Sequence, residues 1–402
     1  MATEKSVSPL KPQTAAFQGI TIETVNTVEG LKTHADAWNR LAFKSPQRLP
    51  DQSHAWIASY LEYSLELGES WFCLFALNND TLMGVLPVIV TPRKRMGRSS
   101  HTFRTPYNDQ TASVDFLVEP GQEETVIPLF LDRLRQISPA CFSFEMKRLP
   151  DCSPTLDVMR KGIRPFKSLE TFDGYGNFLK IEGTFEDYCH RLGTKYTRNL
   201  RRLERKFFAL PGANLSFLTG KEMREEELDR FMKVEADSWK CTKGSALCQC
   251  DTLTSFYSAM TRRLKNLGWL EWHFLQAEGK TIAANLAIRV NRSLIILKTC
   301  YDEAYSSFSP GTVLFGKMFE RAFIGGEVDE VNLLTDYSWN QNWQVEKRSY
   351  YNFQLFPDRA FPKFIGYFPL KTRQIARQWP GVRPLYYFFK NGLRGRLKET
   401  GV

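Results

Sequence analysis

Apolar and polar residues alternate in three successive segments of the second half of the chain, which predicts three neighbouring β-strands. The segments are Leu270–Gln276, Ile282–Val290 and Leu294–Tyr301. Two short polar pairs, Glu278-Gly279 and Asn291-Arg292, separate them and are typical of tight hairpin turns. The pattern therefore predicts an antiparallel sheet made of two consecutive hairpins.

The spacing of apolar residues then changes to that of a helix. From Val313 to Phe323 the apolar side chains recur every three or four positions and fall on one face. Gly325-Gly326 is a helix stop signal, and Val328–Leu334 predicts one more strand, which closes on Thr335-Asp336. The resulting order is strand, strand, strand, helix, strand.

The start of this helix has the composition of an anion site. Ser309 is a suitable N-cap, Pro310 stands where a missing N–H costs nothing, and Gly311 lets a ligand approach the backbone. First-turn amides and the positive end of the helix dipole favour a phosphate at such a position. A well-capped helix without a ligand is the alternative.

The order of elements repeats along the chain. The first half is predicted as strand Gly19–Val25, helices Val28–Leu41 and Ser53–Leu67, strands Trp71–Leu77, Thr81–Thr91 and Asp109–Val118, helix Glu123–Ile137 and strand Cys141–Met146. The second half begins with strand Asn214–Thr219 and helices Glu225–Trp239 and Thr252–Leu267, and continues with the elements above. This repeat predicts an α+β fold of two tandem lobes with mixed sheets flanked by helices.

We accordingly divide the chain into a flexible tail (1–17), an N-terminal lobe (18–165), a C-terminal lobe (166–360) and a basic aromatic tail (361–402). In the N-terminal lobe the late helix starts with Glu123 and Glu124, which would repel a phosphate. Phosphate binding is therefore expected in the C-terminal lobe, and the N-terminal lobe is expected to support the fold or to shape the site of a second ligand.

Composition narrows the class of protein. With 43% hydrophobic and 24% charged residues among 402, the chain resembles a soluble globular protein, and no apolar run is long enough to span a membrane. Its start lacks a secretory signal and its eight cysteines are too sparse for a disulfide scaffold, so we expect a cytoplasmic location. Cys241, Cys248 and Cys250 lack paired metal-ligand spacing, so no metal is predicted.

A net charge of +10 suggests an anionic partner. The most basic segment is the helix predicted at 191–208, where Arg198, Arg202 and Arg205 share one face with Arg191 and Lys195. A solvated linker helix, or a wall that binds phosphates, are both consistent with this pattern. The few aromatic residues argue against a nucleic-acid platform but leave tRNA open.

The C-terminal tail carries a second basic pattern. Aromatic residues from Tyr386 to Phe389 are followed by basic ones as far as Lys398. This stretch is either a helix that packs on a lobe or a peripheral membrane contact. The oligomeric state is not predicted.

Several stretches resemble one known family. They are Thr194–Phe207, Asp237–Gly244, Gly268-Trp269, Asp302–Tyr305, Phe308–Thr312 and Asp336–Trp343. With the order of elements, they resemble GNAT acyltransferases, and more closely the GNAT-like acetyltransferase family that contains cellulose-biosynthesis accessory proteins. The resemblance runs from about residue 185 to 343. That family is related to Fem-type peptidyltransferases, which are double GNAT folds that use aminoacyl-tRNA.

The resemblance implies an acyltransferase whose acyl-CoA donor places its pyrophosphate at the helix start, bound by Ser309, Gly311 and Thr312. In such enzymes an amine or hydroxyl of the acceptor attacks the thioester directly. The acceptor would be a small molecule or a glycan. The runner-up is a Fem-like transferase that uses aminoacyl-tRNA, and a third reading is a non-catalytic accessory protein of polysaccharide assembly.

Four residues are candidates for the chemistry. Asp336 closes a predicted strand and resembles the recurrent acidic residue of the family, so it is the leading general base or acceptor-orienting residue; a turn-initiating Asp is the alternative. Tyr301 and Tyr337 are candidates, with Tyr305, for the acid that protonates the leaving thiolate. The sequence does not separate these tyrosines.

The remaining candidates bind rather than react. Lys298 is predicted to bind the cofactor by meeting a phosphate or carboxylate, with an exposed strand residue as the alternative. Asp302 and Glu303 are predicted to select a cationic acceptor. Residues predicted to bind substrate through the family resemblance are Trp239, Trp339 and Trp343. Asn340 departs from the family pattern, where a basic residue is commoner.

Overall fold

The computed structural model describes residues 16–17, 19–220, 223–224 and 226–378. The predicted stretch from Tyr386 to Lys398 and most of the tail at 1–17 lie outside the described residues, so those predictions stay untested.

The first half of the described chain contains short and long strands with helices between them. Its strands are β1 (Ala16–Phe17), β2 (Ile20–Val25), β3 (Ser70–Asn78), β4 (Thr81–Arg95), β5 (Arg98–Arg104), β6 (Leu117–Val118) and β7 (Cys141–Pro150). Its helices are α1 (Val28–Lys44), α2 (His54–Tyr63), α3 (Glu123–Ile137) and α4 (Pro154–Lys161).

The second half has the same kind of alternation. Its strands are β8 (Phe166–Lys180), β9 (Asn214–Thr219), β10 (Leu270–Ala277), β11 (Lys280–Val290), β12 (Ser293–Tyr301), β13 (Glu330–Asn332) and β14 (Glu346–Pro357). Its helices are α5 (Phe185–Leu192), α6 (Thr194–Phe208), α7 (Glu226–Ala236), α8 (Trp239–Thr242), α9 (Asp251–Asn266), α10 (Pro310–Gly325), α11 (Ala360–Pro362) and α12 (Phe368–Gln378).

One mixed sheet runs through the molecule and repeats its pairing pattern. Its order is β1-β2-β3-β4-β5-β7-β14-β8-β13-β12-β11-β10-β9, and β6 pairs with β4. In the first half β2, β3, β4 and β5 are successively antiparallel, and β5 then pairs with β7 in parallel. In the second half β9 to β12 are successively antiparallel and β12 pairs with β13 in parallel. The predicted α+β fold of two tandem lobes is confirmed.

The two halves meet at β14. This strand pairs antiparallel with β8 along its whole length and with β7 from Tyr350 to Leu355. Polar and apolar residues alternate from Ser349 to Leu355, within this strand. Because one strand pairs with both halves, the backbone hydrogen bonding of the sheet is continuous across the junction.

Both predicted hairpin turns are confirmed. Glu278 and Gly279 have φ of 53° and 78°, and Asn291 and Arg292 have φ of 43° and 60°. Two successive residues with positive φ are the signature of a two-residue type I′ turn, whose twist matches that of the flanking strands. The turns therefore set the register of β10, β11 and β12.

The predicted strand Asp109–Val118 is wrong, because only Leu117–Val118 is a strand. The rest is a loop whose amides are bonded by side chains: Asn108 Oδ1 accepts from the Gln110 amide at 3.0 Å, and Asp51 Oδ1 accepts from the Ala112 amide at 3.3 Å. Side-chain acceptors allow a loop to be buried without strand pairing. The strand that follows β4 and pairs with it is β5 instead.

Strand β8 was not predicted, because glycines interrupt its apolar pattern. Gly176 is required by a close approach: a Cβ there would lie 2.7 Å from the carbonyl oxygen of Leu334 and 2.8 Å from the ring of Tyr350. The loop after β13 crosses the sheet at this point. A glycine that weakens a strand in isolation thus permits a tertiary contact.

On one face of the sheet the two halves share a hydrophobic core. Helices α1 and α2 contribute Trp38 and Trp56, and α9 contributes Phe256 and Tyr257. The rings of Trp56 and Phe256 meet edge to face at 5.5 Å. This packing brings the first-half loop around residue 110 opposite β12. Within the described part of the chain, no helix combines the length and apolar character needed to cross a membrane.

Candidate functional site

Strands β12 and β13 part after three residue pairs. Ser293–Ile295 pairs in parallel with Glu330–Asn332, after which the chain turns away from β12. Strand β12 continues to Tyr301, and among the described strands β11 alone pairs with this part of it. Along residues 296–301, one edge of β12 therefore has backbone groups free to bind a ligand, and this edge borders a cleft.

The cleft has a volume of about 990 Å³ and lies between the two halves. Its walls are the free edge of β12, the start of α10, the loop at 333–343, helix α8 and the first-half loop at 107–112. Nine predicted site residues line it, namely Trp239, Lys298, Tyr301, Gly311, Thr312, Asp336, Tyr337, Trp339 and Trp343. Their predicted roles stay predictions, but the fold brings them together.

A β-bulge in β12 turns one lysine toward this cleft. Leu286 pairs with Lys298 and Ala287 pairs with Ile296, so Leu297 is an extra residue on β12. A bulge of this kind resets the alternation of side chains. Lys298 consequently faces α9, where its ammonium lies 5.2 Å from the centre of the Tyr257 ring.

Burial and the nearby ammonium of Lys240 lower the pKa of Lys298 from its ordinary value of 10.5 to about 8. Lys240 itself is paired, since its Nζ lies 3.1 Å from Oε1 of the buried Glu235. Among the described residues, Lys298 has no carboxylate within ion-pair distance. It is therefore a charge whose counter-ion the described residues do not supply.

The start of α10 differs from the prediction at Ser309. This residue has φ of 50° and ψ of 52°, and its side chain makes no capping hydrogen bond, so the predicted N-cap bond is wrong. The left-handed backbone turns the serine side chain away from the first helical amides. Ser309 does not line the cleft, whereas Gly311 and Thr312 do. Their amides belong to the first turn, which has no intrahelical acceptors and no acidic residue.

Tyr301 ends β12 beside this helix start. A Cβ built on Gly311 would lie 3.5 Å from its ring. Burial and a hydrogen bond to Glu303 raise the pKa of Tyr301. The phenol is thus protonated at neutral pH, and its raised pKa makes it a weaker acid than a free tyrosine.

Asp336 is held by three donors. Its carboxylate accepts from Lys347 Nζ at 2.8 Å, Asn177 Nδ2 at 3.1 Å and Gln341 Nε2 at 3.0 Å. The hydrogen bond from Lys347 is the main reason why the pKa of Asp336 is lowered. A carboxylate with a lowered pKa is a weak base, so this geometry favours the acceptor-orienting role over general-base catalysis.

Asn340 explains why a basic residue is not needed at its position. Its side chain is buried and donates to Asn177 Oδ1 at 3.0 Å and to the Thr335 carbonyl at 2.8 Å. Asn177 in turn donates to Asp336. These amide bonds fix the loop after β13 in the place where it borders the cleft.

The aromatic candidates lie either at the rim of the cleft or at its floor. Tyr337 is 55% exposed and stacks on the exposed ring of Trp339, and Trp239 is exposed on the opposite side with Lys243 over its ring at 4.7 Å. Trp343 is only 3% exposed and packs against Phe319 at 5.0 Å. The first three can stack on a ligand, whereas Trp343 mainly forms the floor.

Asp302 and Glu303 do not line the cleft. Asp302 Oδ1 accepts from the Ala304 amide at 2.9 Å, and its Oδ2 lies 3.2 Å from Lys280 Nζ. Asp302 therefore caps the turn before α10, and Glu303 contacts the cleft only through Tyr301. Selection of a cationic acceptor by this pair is not supported by their position.

Sequence reasoning missed the contribution of the first half and of α9. Arg148 donates to the carbonyl oxygens of Ala112 and Leu334, both at 3.3 Å, and to Asp173 at 3.1 Å, so it ties the two halves at the cleft. The hydroxyl of Tyr257 donates to Gln110 Oε1 at 3.0 Å. No local pattern marks these residues, because they meet only through the packing of the halves.

Among the described residues, no group of three His, Cys, Asp or Glu side chains is placed to hold a metal ion. Cys241, Cys248 and Cys250 are free thiols.

Comparison with known proteins bears on the fold. Residues 194–344 match the family model described as the acetyltransferase (GNAT) domain. No curated protein sequence matches the chain. The structure of FemX superposes with a TM-score of 0.57 at 10% identity, covering 86% of this chain and 99% of FemX.

Two further solved structures have TM-scores just above one half. A protein of unknown function from Bacteroides thetaiotaomicron has a TM-score of 0.51 at 14% identity, with 82% of this chain and 97% of the other covered. The C-terminal domain of a protein described as a putative lysylphosphatidylglycerol synthetase from Agrobacterium fabrum has a TM-score of 0.52 at 8% identity. The match covers 82% of this chain and 93% of that domain. At such identities the likeness concerns the fold alone. The chain thus shares the overall fold of FemX, and residues 194–344 of its second half are similar to the acetyltransferase (GNAT) domain.

Proposed function

We propose that the protein transfers an acyl group from acyl-CoA to an amine or hydroxyl of an acceptor bound in the cleft. The observation that carries this proposal is the parting of β12 and β13 beside the acid-free start of α10. The free strand edge offers hydrogen bonds to an extended ligand, and the helix start offers amides to its phosphates. A CoA thioester has both of these parts.

The proposed reaction needs no covalent enzyme intermediate. The acceptor's lone pair forms a bond to the thioester carbonyl carbon, the carbon–sulfur bond breaks, and the thiolate takes a proton. Tyr301 is the proton donor that we favour, since its phenol is protonated and lies at the helix start. Asp336 would orient the acceptor, whose own proton leaves to solvent.

The rim of the cleft supports a small-molecule or glycan acceptor. Exposed rings of Trp239, Tyr337 and Trp339 border the opening, joined by Tyr175 from β8. Flat aromatic faces pack well against the C–H faces of sugar rings. A polysaccharide-related acceptor would also agree with the cellulose-biosynthesis resemblance, which remains part of this proposal.

The test is calorimetric titration of the full-length protein with acetyl-CoA and with CoA, followed by a free-thiol assay against a panel of amino sugars and amines. We expect saturable binding with one site and acceptor-dependent thiol release. If neither CoA nor acetyl-CoA binds, the proposal is wrong, and the non-catalytic accessory role becomes the better explanation.

One observation favours the aminoacyl-tRNA alternative. Arg198, Arg202 and Arg205 are exposed on α6, and no carboxylate in the described residues pairs with them. Leu200 packs α6 against α10, since a Cβ on Gly316 would lie 3.0 Å from its side chain, and the arginines lie on the opposite side of α6. A solvent-facing row of basic side chains without ion pairs would suit a tRNA.

The triple variant Arg198→Gln, Arg202→Gln, Arg205→Gln decides between these readings. We expect the variant to bind acetyl-CoA as tightly as the wild type does. We also expect that the native protein does not retain tRNA at 150 mM salt, so that the variant has no tRNA affinity to lose. Tight, salt-sensitive tRNA binding that the variant loses would establish the alternative.

A contact with anionic membranes through the C-terminal part is also proposed. Phe368 and Ile375 are exposed on α12, next to Lys371. Flotation with phosphatidylglycerol vesicles, compared with neutral vesicles, should retain the protein on the anionic ones only. Absence of binding to both would remove this proposal.

A further inference from the structure

Lys298 is a partly buried cation that faces the cleft, and no residue in the described part of the chain serves as its counter-ion. The carboxylate of Glu235 attracts the Lys298 ammonium, but it already has two closer partners. It pairs with Lys240 at 3.1 Å and accepts a hydrogen bond from the Leu247 amide at 2.7 Å. The ring of Tyr257 covers one side of the ammonium. A buried unpaired ammonium is costly, and fixing one in a binding cleft is explained when a ligand supplies the missing charge.

The other charges around the cleft are largely paired. Arg148 lies 3.1 Å from Asp173, and Asp336 lies 2.8 Å from Lys347. Two exposed groups remain on the walls besides Lys298, namely Lys243 over Trp239 and Asp109 on the loop of the first half. The wall formed by β12 and α8 is therefore positive, and the facing loop is not.

We propose that Lys298 binds a carboxylate or phosphate group of a substrate, and that the acceptor is the substrate that carries it. This inference rests on the proposed acyl transfer and narrows it to acidic acceptors, such as a sugar acid, a sugar phosphate or an amino acid. Lys240 and Lys243 lie on the same wall and add to the attraction. The sequence had assigned Lys298 to the cofactor instead.

The position of Lys298 separates it from the donor's phosphates. Helix α10 packs on the sheet face that carries Leu294 and Ile296, whereas the bulge turns Lys298 toward the face that carries Cys300 and α9. Along β12, Lys298 is three residues, or about 10 Å, from Tyr301, whose ring lies against Gly311 in the first turn of α10. A pyrophosphate on the amides of Gly311 and Thr312 would therefore lie away from Lys298, leaving its ammonium for another anion.

An acidic acyl group is the other source of the same chemistry, and the experiment distinguishes the two. Melting temperatures of wild type and Lys298→Met are measured with sodium phosphate or acetate against sodium chloride of equal ionic strength, without and with saturating acetyl-CoA. Lys32→Met is the matched control, because it removes an exposed lysine of α1 far from the cleft. Calorimetry then compares acetyl-CoA with succinyl-CoA on both proteins.

We expect phosphate or acetate at about ten times its Kd to raise the melting temperature of wild type and Lys32→Met by about 1–2 °C, but not that of Lys298→Met. The shift should persist with acetyl-CoA bound, and succinyl-CoA should bind no tighter than acetyl-CoA. If succinyl-CoA binds wild type more tightly than acetyl-CoA does, and Lys298→Met loses this difference, then the acyl group and not the acceptor supplies the anion, and the proposal is wrong. Equal anion shifts in wild type and Lys298→Met, or none in either, would overturn the anion site.

Anion binding at Lys298 can be measured whether or not the protein binds CoA. The measurement without acetyl-CoA reads the anion site even if CoA does not bind, so failure of the proposed acyl transfer and failure of this inference are separable. Reaction of lysines with acetic anhydride at pH 8, read by mass spectrometry, gives a second measurement. Phosphate should protect Lys298 and leave Lys32 unprotected.

Discussion

Gly311 lies against the ring of Tyr301, so that a Cβ on the glycine would be 3.5 Å from the nearest ring carbon. The contact joins the first turn of α10 to the last residue of β12, where the proposed donor phosphates and the proposed proton donor meet. It also sets what the site tolerates. A methyl group fits beside the ring at ordinary contact distance, whereas a longer side chain must project into the cleft.

The first prediction follows from this contact. Gly311→Glu places a carboxylate at the first-turn amides, where it occupies and repels the position of a phosphate. We expect CoA affinity to fall at least 100-fold with little change in melting temperature. Gly311→Ala is the control and should bind CoA within about threefold of wild type. Calorimetry checks both, and undiminished CoA binding by Gly311→Glu would place the phosphate site elsewhere.

The second prediction concerns the proton donor. Tyr301→Phe removes the hydroxyl but keeps the ring against Gly311, so binding of CoA should be unchanged. Loss of general-acid catalysis should lower kcat by about 10²–10⁴-fold. Tyr337→Phe is the matched change on the exposed rim and should keep kcat near wild type. Comparable losses in both variants, or none in Tyr301→Phe, would remove Tyr301 from this role.

The third prediction tests whether Asp336 positions the acceptor or takes its proton. Because Lys347, Asn177 and Gln341 stabilise the ionised carboxylate, the pKa of Asp336 lies below its ordinary value, and a rate limb that depends on it would fall at acidic pH. We expect Asp336→Asn to raise the acceptor KM by about tenfold with a small change in kcat.

Lys347→Met is the companion variant, since it removes the strongest partner of the same carboxylate. If Asp336 only holds the loop and the acceptor, the two variants should have similar effects on KM. A fall in kcat of about 10² or more in Asp336→Asn alone would instead show general-base catalysis. Steady-state rates between pH 5 and 9, with melting curves of each variant, supply the comparison.

The fourth prediction concerns stability and pH. Folding lowers the pKa of Lys298 from 10.5 to about 8, so between these values the unfolded chain binds more protons than the folded one. Stability from this group therefore rises with pH across that window and is least below pH 8. Lys298→Met should be more stable than wild type at pH 7, by about 1–3 kcal/mol.

This gain should shrink as the pH approaches 10.5, because the wild-type lysine loses its charge there too. Melting temperatures of the two proteins at several pH values, taken as a difference, isolate this group from the tyrosines. Lys32→Met should follow the wild type throughout. A Lys298→Met variant that is less stable at pH 7 would mean that the ammonium has a counter-ion within the fold.

The hairpins, the helix α10 and the repeated order of elements were predictable because they depend on local chemistry. Asn291 and Gly326 adopt the left-handed backbone conformation that Asn and Gly tolerate best, and apolar spacing fixes which side of each element is buried. The same locality explains the prediction of Gly311 and Thr312 at a helix start. The predicted N-cap hydrogen bond of Ser309 was wrong, because the left-handed backbone of this residue depends on the preceding turn.

The cleft itself was decided by tertiary structure. Where β12 leaves β13, the bulge at Leu297, and the meeting of Arg148 with Leu334 all depend on pairings between residues far apart in the chain. Glycines in β8 and polar residues around Asp109 gave misleading local signals, because contacts across the sheet determine their conformation. Side-chain types are local properties of the sequence. Whether a lysine such as Lys298 has a counter-ion is settled only by what folds around it.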